Sequence, residues 1–301
     1  MDPRISIITP SFNQGKYIGR TIESVLTQDV DGLEYMVIDG GSTDETVDVL
    51  KGYGDRFFWL SEKDQGHSDA INKGVLRSKA PIIGWLNSDD IYYPGTIKAV
   101  VEFFDQNPDV DVAYGNANHI DENDRFINEY PTEDFNWERL LDTCFISQPA
   151  TFVRRRVFEK HGLLDLSLRQ SMDYEFWIRL GKGGAKFARI PRLLAATRLH
   201  KDAFTVAATM KCHYNINVFM LRHFGRVPDN WVFNYAHAWT EKKGIRREQR
   251  YKFAVVVGLA SVATSLRWNK RISRRVFTTA AKWTSAGVKG AIKRTFGKNG
   301  Q

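Results

Sequence analysis

The acidic residues of the first ninety positions fall where chemistry can use them. Three apolar runs each end in polar side chains: Thr9-Pro10-Ser11-Phe12-Asn13 after Ile5–Thr9, Asp39-Gly40-Gly41-Ser42-Thr43-Asp44 after Glu34–Asp39, and Asn87-Ser88-Asp89-Asp90 after Pro81–Asn87. If these runs are neighbouring parallel strands, their ends share one edge of a sheet. Clustered carboxylates repel there, so stability alone does not select them. A hard divalent cation, Mg²⁺ or Mn²⁺, resolves the conflict because it prefers carboxylate oxygens. The same cation neutralises a diphosphate and improves it as a leaving group. Gly40 and Gly41 leave room for a ligand close to the backbone. Asp89 and Asp90 also read as a capping turn before the helix that follows Pro94, and Asp39 as a turn acid.

The elements that must hold these residues follow from hydrophobic periodicity. Strands are expected at Ile5–Thr9, Glu34–Asp39, Phe57–Ser61, Pro81–Asn87 and Val110–Gly115. Helices are expected between them: Tyr17–Thr27 with Ile18, Ile22, Val25 and Leu26 on one face, a segment opened by a Ser42–Glu45 capping box, Ser68–Arg77, and Pro94–Gln106. This alternation predicts βαβ units, a mostly parallel sheet with helices on both faces, and a ligand at the carboxyl ends of the strands. After residue 115 the rhythm changes. A hairpin is expected around the Asp-Glu-Asn-Asp turn at 121–124, helices at Trp137–Cys144, Arg155–His161 and Asp173–Leu180, and strands at Ala150–Val153, Lys186–Ile190 and Leu193–Leu199. From about Ala203 the pattern is helical.

The 301 residues fit one large or two modest domains, and 43% hydrophobic residues support a sizeable core. Two cysteines, Cys144 and Cys212, are too few for a disulfide framework and fit a reducing, cytoplasmic setting. The first residues show no charged segment followed by an apolar one, so no signal peptide is expected. Charge is unevenly spread. Residues 241–301 hold 16 Lys or Arg against Glu241 and Glu248, a net of +14 within a chain total of +8, which leaves 1–240 at −6. The uncharged stretch Phe253–Leu266 has 14 residues, short of the roughly 20 that span a bilayer. It is flanked by basic residues, and Trp268 and Trp283 are suited to the headgroup level. The expectation is a tail that meets the anionic inner face of the cell membrane peripherally; a solvated helical extension packing on the body or on a second subunit is the plainer reading.

Ile5–Asn13, Val37–Asp44 and Gly84–Gly95 resemble the signatures of family-2 glycosyltransferases, which have the GT-A, Rossmann-like nucleotide-diphospho-sugar fold. The resemblance implies that Thr9, Pro10, Ser11 and Asn13 open the nucleotide site and that Asp39 contacts the base. Asp64–Gly74 is similar to the family's D-x-G-x-x-D-A-x-N-K-G stretch, which implies Asp69 and Lys73 at the donor. Asn87-Ser88-Asp89 matches the metal-binding D-x-D element with Asn in first position, so Asp89, with Asp90 beside it, is the implied ligand for Mn²⁺ or Mg²⁺. Gln170–Trp177 is similar to the helix start that carries the general base. Asp173 stands in that place and Met172 replaces the usual Glu. A carboxylate there suits inverting transfer, which needs one base for the acceptor hydroxyl. Thr197–Lys201 resembles the late-strand R-x-H element and adds His200 to the metal or diphosphate site, with Arg198 a phosphate contact; an ordinary structural histidine and a surface arginine remain alternatives. Gln148 lies in a stretch that resembles the acceptor-facing region. Trp177 is a candidate acceptor platform, though its amphipathic helix reads more simply as core.

The resemblance therefore implies a GT-A catalytic domain over 1–203, with a nucleotide-sugar half at 1–115 and an acceptor half at 116–203, and a helical, basic extension over 204–301. It implies an inverting transfer from a nucleotide-diphosphate sugar to a glycan or lipid-linked glycan, as in surface-polysaccharide assembly. Two other classes stay open on the residues: a nucleic-acid-binding protein that uses the basic tail, and a non-catalytic glycosyltransferase-like assembly protein. The tail lacks zinc-finger and RNP-like motifs, so nucleic acid is not expected as a partner. An oligomer is compatible with the sequence.

Overall fold

The computed structural model describes residues 2–200 and 209–296. The chain divides into two compact units, Met1–Leu140 with Cys144–Val206 and Leu141–Thr143 with Ala207–Gln301. The expected boundary at 203/204, and Lys201, lie outside the described residues.

The first unit is built on a nine-stranded sheet. Its strands are β1 (Ile5–Ser11), β2 (Leu33–Asp39), β3 (Phe58–Ser61), β4 (Ile82–Trp85), β5 (Ile91–Tyr92), β6 (Val112–Ile120), β7 (Phe126–Glu129), β8 (Thr151–Arg154) and β9 (Phe187–Arg198). The order is β3-β2-β1-β4-β8-β6-β9-β5, with β7 paired to β6. The four strands β3-β2-β1-β4 are parallel, with Ile5–Ser11 opposite Leu33–Asp39 and Ile5–Ile8 opposite Ile82–Trp85. The chain steps from β1 out to β2 and β3, then returns to the other side of β1 as β4. The β1/β4 junction is therefore the topological switch point, where open parallel sheets leave a crevice.

Pro10 marks that crevice. The Ile8 carbonyl, facing β4, takes the Leu86 N–H at 2.9 Å. Pro10 has the same parity along the strand, so its missing N–H faces the space that β4 vacates after Trp85. Helices cover both faces. Ile5, Ile7 and Val37 join one core cluster with Ile18, Ile22 and Val25 of α1 (Gly15–Leu26), Leu50 of α2 (Thr46–Gly52) and Ile97 and Val100 of α4 (Thr96–Gln106). On the other face α3 (His67–Arg77) lies so close that a Cβ on Gly74 would stand 2.5 Å from Ile8 Cγ2.

Beyond β4 the sheet is mixed. β8 is antiparallel to both β4 and β6, and β5 is antiparallel to β9. The expected fifth parallel strand is the start of the longer β6, separated from β4 by β8. The two expected late strands are one 12-residue β9, parallel to β6, with register shifts around Asn116 that absorb the break in pattern. The remaining helices before residue 200 are α5 (Trp137–Asp142), whose last two residues count with the second unit, α6 (Arg155–His161) and α7 (Met172–Lys182).

The second unit consists of α8 (Thr209–Phe224), α9 (Asp229–Lys242), α10 (Arg250–Asn269) and α11 (Arg274–Phe296). Trp283 packs edge-on against Phe233 and His237, each at 5.3 Å between ring centroids, and Trp268 packs against Tyr214 and Tyr235. Both tryptophans are half-buried in these ring contacts within the unit. Among the described residues no helix is long and apolar enough to cross a membrane.

Candidate active site

At the ends of β1 and β2 two loops lock together. Asn13, in the left-handed region at φ 52°, donates its N–H to Ser42 Oγ at 2.7 Å and accepts from Thr43 N–H at 2.9 Å. The α2 entry is held from α1's side, because Asp44 accepts from the N–H of Gly15 and of Thr46, both at 3.0 Å. Asp44, not Ser42, therefore takes the first N–H of α2, and the N-cap position, Glu45, makes no side-chain cap bond. Ser42 is turned instead to Asp39, whose carboxylate accepts from Gly41 N–H at 3.1 Å, Ser42 N–H at 2.9 Å, Ser61 Oγ at 2.7 Å and the Ser42 hydroxyl. Asp39 is fully buried and these four bonds take up its acceptor sites. Its direct effect is to shape the Gly40–Ser42 loop. Gly40 lets Asp64 approach to 2.7 Å from where a Cβ would stand. Thr9 is buried and accepts from the Tyr35 hydroxyl at 3.1 Å, while the buried Ser11 hydroxyl has no partner among the described residues.

The end of β4 is organised by β9. Asp90 is 1% exposed, and its carboxylate accepts from Arg198 N–H at 2.9 Å and Asn87 Nδ2 at 3.0 Å. Burial first, then the charge of Asp89, pushes the Asp90 carboxyl well above the usual range. Asp90 is thus turned into the protein, with one hydrogen bond on each carboxylate oxygen, and Ser88 is buried beside it. Asp89 remains partly open, and its Oδ2 lies 3.0 Å from His200 Nε2. Arg198 ties the parts together. Its buried guanidinium donates to the Asp89 carbonyl at 2.7 Å and the Asp121 carbonyl at 3.0 Å, and pairs with Asp124. It lies over the Tyr17 ring, against which His200 also packs at 4.8 Å. Arg198 is thus tied into the fold through Nε and Nη1, while its buried Nη2 has no partner among the described residues.

The Asp89–His200 spacing bears on a metal. Around an octahedral ion with bonds of about 2.1 Å, neighbouring ligands stand roughly 3 Å apart. The carboxylate oxygen and imidazole nitrogen already have that separation. Among the described residues no three His, Cys, Asp or Glu side chains converge. Two protein ligands suit a cation that takes its other oxygens from substrate phosphates and water.

On α3, Asp69 accepts from Gln65 N–H at 3.1 Å and pairs with Lys73 at 3.4 Å, while Lys73 reaches Glu62 at 2.9 Å. Asp69 and Lys73 are thus held together, beside the segment that follows β3. His67, at the start of the same helix, lies near Asn87, Asp89 and Asp64. Burial pushes its imidazole pKa down, against the opposing charge of Asp89, the Asn87 side chain and the charge of Asp64.

Asp173 opens α7, whose entry residue Ser171 is left-handed at φ 59°. Burial raises the Asp173 carboxyl, while the N–H groups of Tyr174 and of Asp173 itself pull it down. Together with burial, its charge raises the nearby Cys144 thiol to about 12. One turn further, Trp177 is fully buried and stacked on Trp85 at 5.5 Å, and its Nε1 has no partner among the described residues. Trp177 is core and cannot serve as a sugar platform, because no face of the ring reaches solvent. The stack nevertheless docks α7 on the end of β4. Gln148 donates Nε2–H to the Trp85 carbonyl at 2.7 Å, which fixes the same strand end.

Sequence reasoning passed over His67, which stands inside a quoted motif, and Asp44 as the acceptor at the start of α2. An Asp two residues before the first helical position was the available signal for Asp44. Asp124, in the hairpin turn, gave no sign that it would pair with Arg198 across 74 positions of sequence.

Residues 6–162 match the family model described as Glycosyl transferase family 2. A PGL/p-HBAD biosynthesis glycosyltransferase of Mycobacterium tuberculosis (strain ATCC 25177 / H37Ra) is 30% identical over 200 residues, 65% of this chain and 76% of that protein. An uncharacterised glycosyltransferase of Rickettsia prowazekii (strain Madrid E) is 30% identical over 186 residues, and the match spans 59% of this chain but only 58% of that protein's length. Among solved structures, S. aureus TarS 1–349 in complex with UDP-GlcNAc superposes with a TM-score of 0.62 at 16% identity, covering 94% of this chain and 89% of that one. The mannosyltransferase PcManGT from Pyrobaculum calidifontis, in complex with GDP-Man and Mn²⁺, gives 0.58 at 15% identity, with 99% and 88% covered. The fold is the GT-A fold.

Proposed function

Because the chain belongs to glycosyl transferase family 2, we propose that it transfers a sugar, with inversion, from a nucleotide-diphosphate donor to a hydroxyl of a glycan or lipid-linked glycan in surface-glycan assembly. The observation that carries this is the Asp89–His200 pair beside the β1/β4 crevice, held by Arg198. The Thr9–Asn13 strand end, the loop shaped by Asp39, and Asp69 with Lys73 form the nucleotide-sugar side, with Asn87 and Ser88 in the turn beneath. Asp89 and His200 would hold Mn²⁺ or Mg²⁺, which when bound supplies charge neutralisation on the diphosphate. Asp173 takes the proton from the acceptor hydroxyl. Burial raises its pKa, which makes its carboxylate a stronger base. Gln148 supports the acceptor side through the Trp85 strand end. The basic 241–301 segment attaches the enzyme peripherally to the anionic inner face of the cell membrane, where a lipid-linked acceptor is presented.

The experiment is a donor screen over UDP-, GDP- and dTDP-sugars that reads released nucleotide with Mn²⁺, with Mg²⁺ and with EDTA. The reading expects one donor class to turn over, and to stop with EDTA. Turnover that ignores EDTA overturns the metal assignment, and no turnover with any donor and acceptor extract favours a non-catalytic assembly role.

A further inference from the structure

The second unit carries a surface that its own packing does not use. At about 100° per residue, α10 divides into three sectors. Phe253, Val257 and Ala260 turn inward with Ala236 of α9. Val255 and Gly258 meet α11, where Gly258 has the Ala280 carbonyl 2.9 Å from a would-be Cβ and Gly287 has Val255 Cγ2 at 2.7 Å. These contacts pair rising positions on one helix with falling positions on the other, so the helices form an antiparallel hairpin. The third sector is Lys252, Val256, Leu259, Ala263, Leu266 and Lys270, an apolar stripe with a lysine at each end.

On α11, Ala280 and Gly287 face α10 and Trp283 faces α9 through Phe233. Phe277 and Val288 are left on the other side. Since α9 takes the inner side of both helices, and the hairpin is antiparallel, the two unused stripes share the face that points away from α9. Leu259 is 61% exposed and Phe277 62%, with Leu266, Ile272 and Val288 also exposed. A helix that is apolar nearly all round is normally buried on every side, and here one side has no cover within its own unit.

The charge around this face decides what covers it. Arg267, Arg271, Arg274, Lys282 and Lys289 join the two lysines, and no Asp or Glu follows Glu248. A second copy would bring two cationic rims together with no acid to offset them. A nucleic acid would use the cations but gain nothing from leucine and phenylalanine. An anionic lipid surface takes both, the stripe at the acyl boundary and the long basic side chains at the headgroups. We infer that the outward face of the α10–α11 hairpin is an interfacial surface for anionic lipid, lying flat rather than crossing. This rests on the membrane reading above, and it assigns the apolar contact to Leu259, Leu266 and Phe277 in place of Trp268 and Trp283.

The test is flotation of the full-length protein with phosphatidylcholine vesicles, with and without phosphatidylglycerol, for wild type, L259S/F277S and K252Q/K270Q/R274Q. Circular dichroism and nucleotide binding verify the fold of each variant. Wild type should float only with phosphatidylglycerol. L259S/F277S should lose about tenfold in vesicle affinity per residue. The charge variant, which removes three of these seven cations, should lose affinity and part of its salt dependence. Wild type that fails to float overturns the membrane reading and this inference together. Wild type that floats while L259S/F277S floats equally well overturns the inference alone. A change of mass in light scattering for L259S/F277S, without a change in flotation, would make the face a contact between copies and likewise overturn it.

Discussion

Arg198→Met removes a side chain that joins β9, the Asn87–Asp90 turn and the hairpin turn at 121–124. The guanidinium supplies hydrogen bonds to the Asp89 and Asp121 carbonyls at 2.7 and 3.0 Å. Methionine fills similar space but donates nothing. Asp124 still has Arg20 at 2.8 Å and is partly solvated, so its charge is not stranded. The cost is two under-satisfied carbonyls at about 1–3 kcal/mol each, a large share of a total stability of about 5–15 kcal/mol. The Asp89 turn also loses its anchor, and a displacement of about 1 Å at a reacting centre costs on the order of 100-fold in rate. Arg198→Lys keeps the charge without the planar fork and reaches fewer of these acceptors, so it should lose less of both. Thermal unfolding and donor turnover measured on all three proteins give the ordering wild type, lysine, methionine in each quantity. Arg198→Met with an unchanged Tm and turnover within about threefold of wild type would refute the role.

Asp173→Asn should lower kcat by about 10²–10⁴-fold with donor binding intact, checked by steady-state kinetics and nucleotide titration. Since burial raises the Asp173 pKa, the acid limb of the kcat/KM profile should lie above the ordinary carboxylate range and vanish in the variant; the ionised form is also the one that burial penalises, so this group's stability contribution grows as pH falls through the raised value. Trp177→Ala should cost about 3–5 kcal/mol of stability by opening a cavity against Trp85, whereas Trp177→Phe, which forfeits no hydrogen bond, should cost far less in a denaturant series. Gly74→Ala should destabilise by about 1–3 kcal/mol by pushing α3 off Ile8, read as a lower Tm.

The parallel half of the fold was legible because local pattern decides it. Ile5, Ile7 and Ile8 in one run, and Ile18, Ile22 and Val25 at helical spacing, say strand and helix without knowledge of their neighbours. Which strand pairs with which is a tertiary fact, so the insertion of β8 between β4 and β6 had no local trace. β5 has two residues and no periodicity to detect. Within the site, it was the resemblance, not residue type, that put His200 with Asp89, which it meets at 3.0 Å, and type alone cannot separate Asp89 from Asp90. The direction each carboxylate takes depends on Arg198, whose N–H holds Asp90 from across the sheet. Trp177 follows the simpler of its two readings, core rather than sugar platform: an aromatic suited to an interface is equally suited to a core, and the stack on Trp85 decides.

Asp89 and His200 are proposed together to form the metal and diphosphate centre. Mn²⁺ binding followed by electron paramagnetic resonance, with saturating UDP or GDP, tests it without requiring the acceptor. Wild type should bind Mn²⁺ only weakly alone and more tightly with the matching nucleotide. Asp89→Asn and His200→Gln should each weaken the nucleotide-dependent binding by at least tenfold, while Asp90→Asn changes it little. Equal Mn²⁺ affinity in wild type and Asp89→Asn would contradict the account.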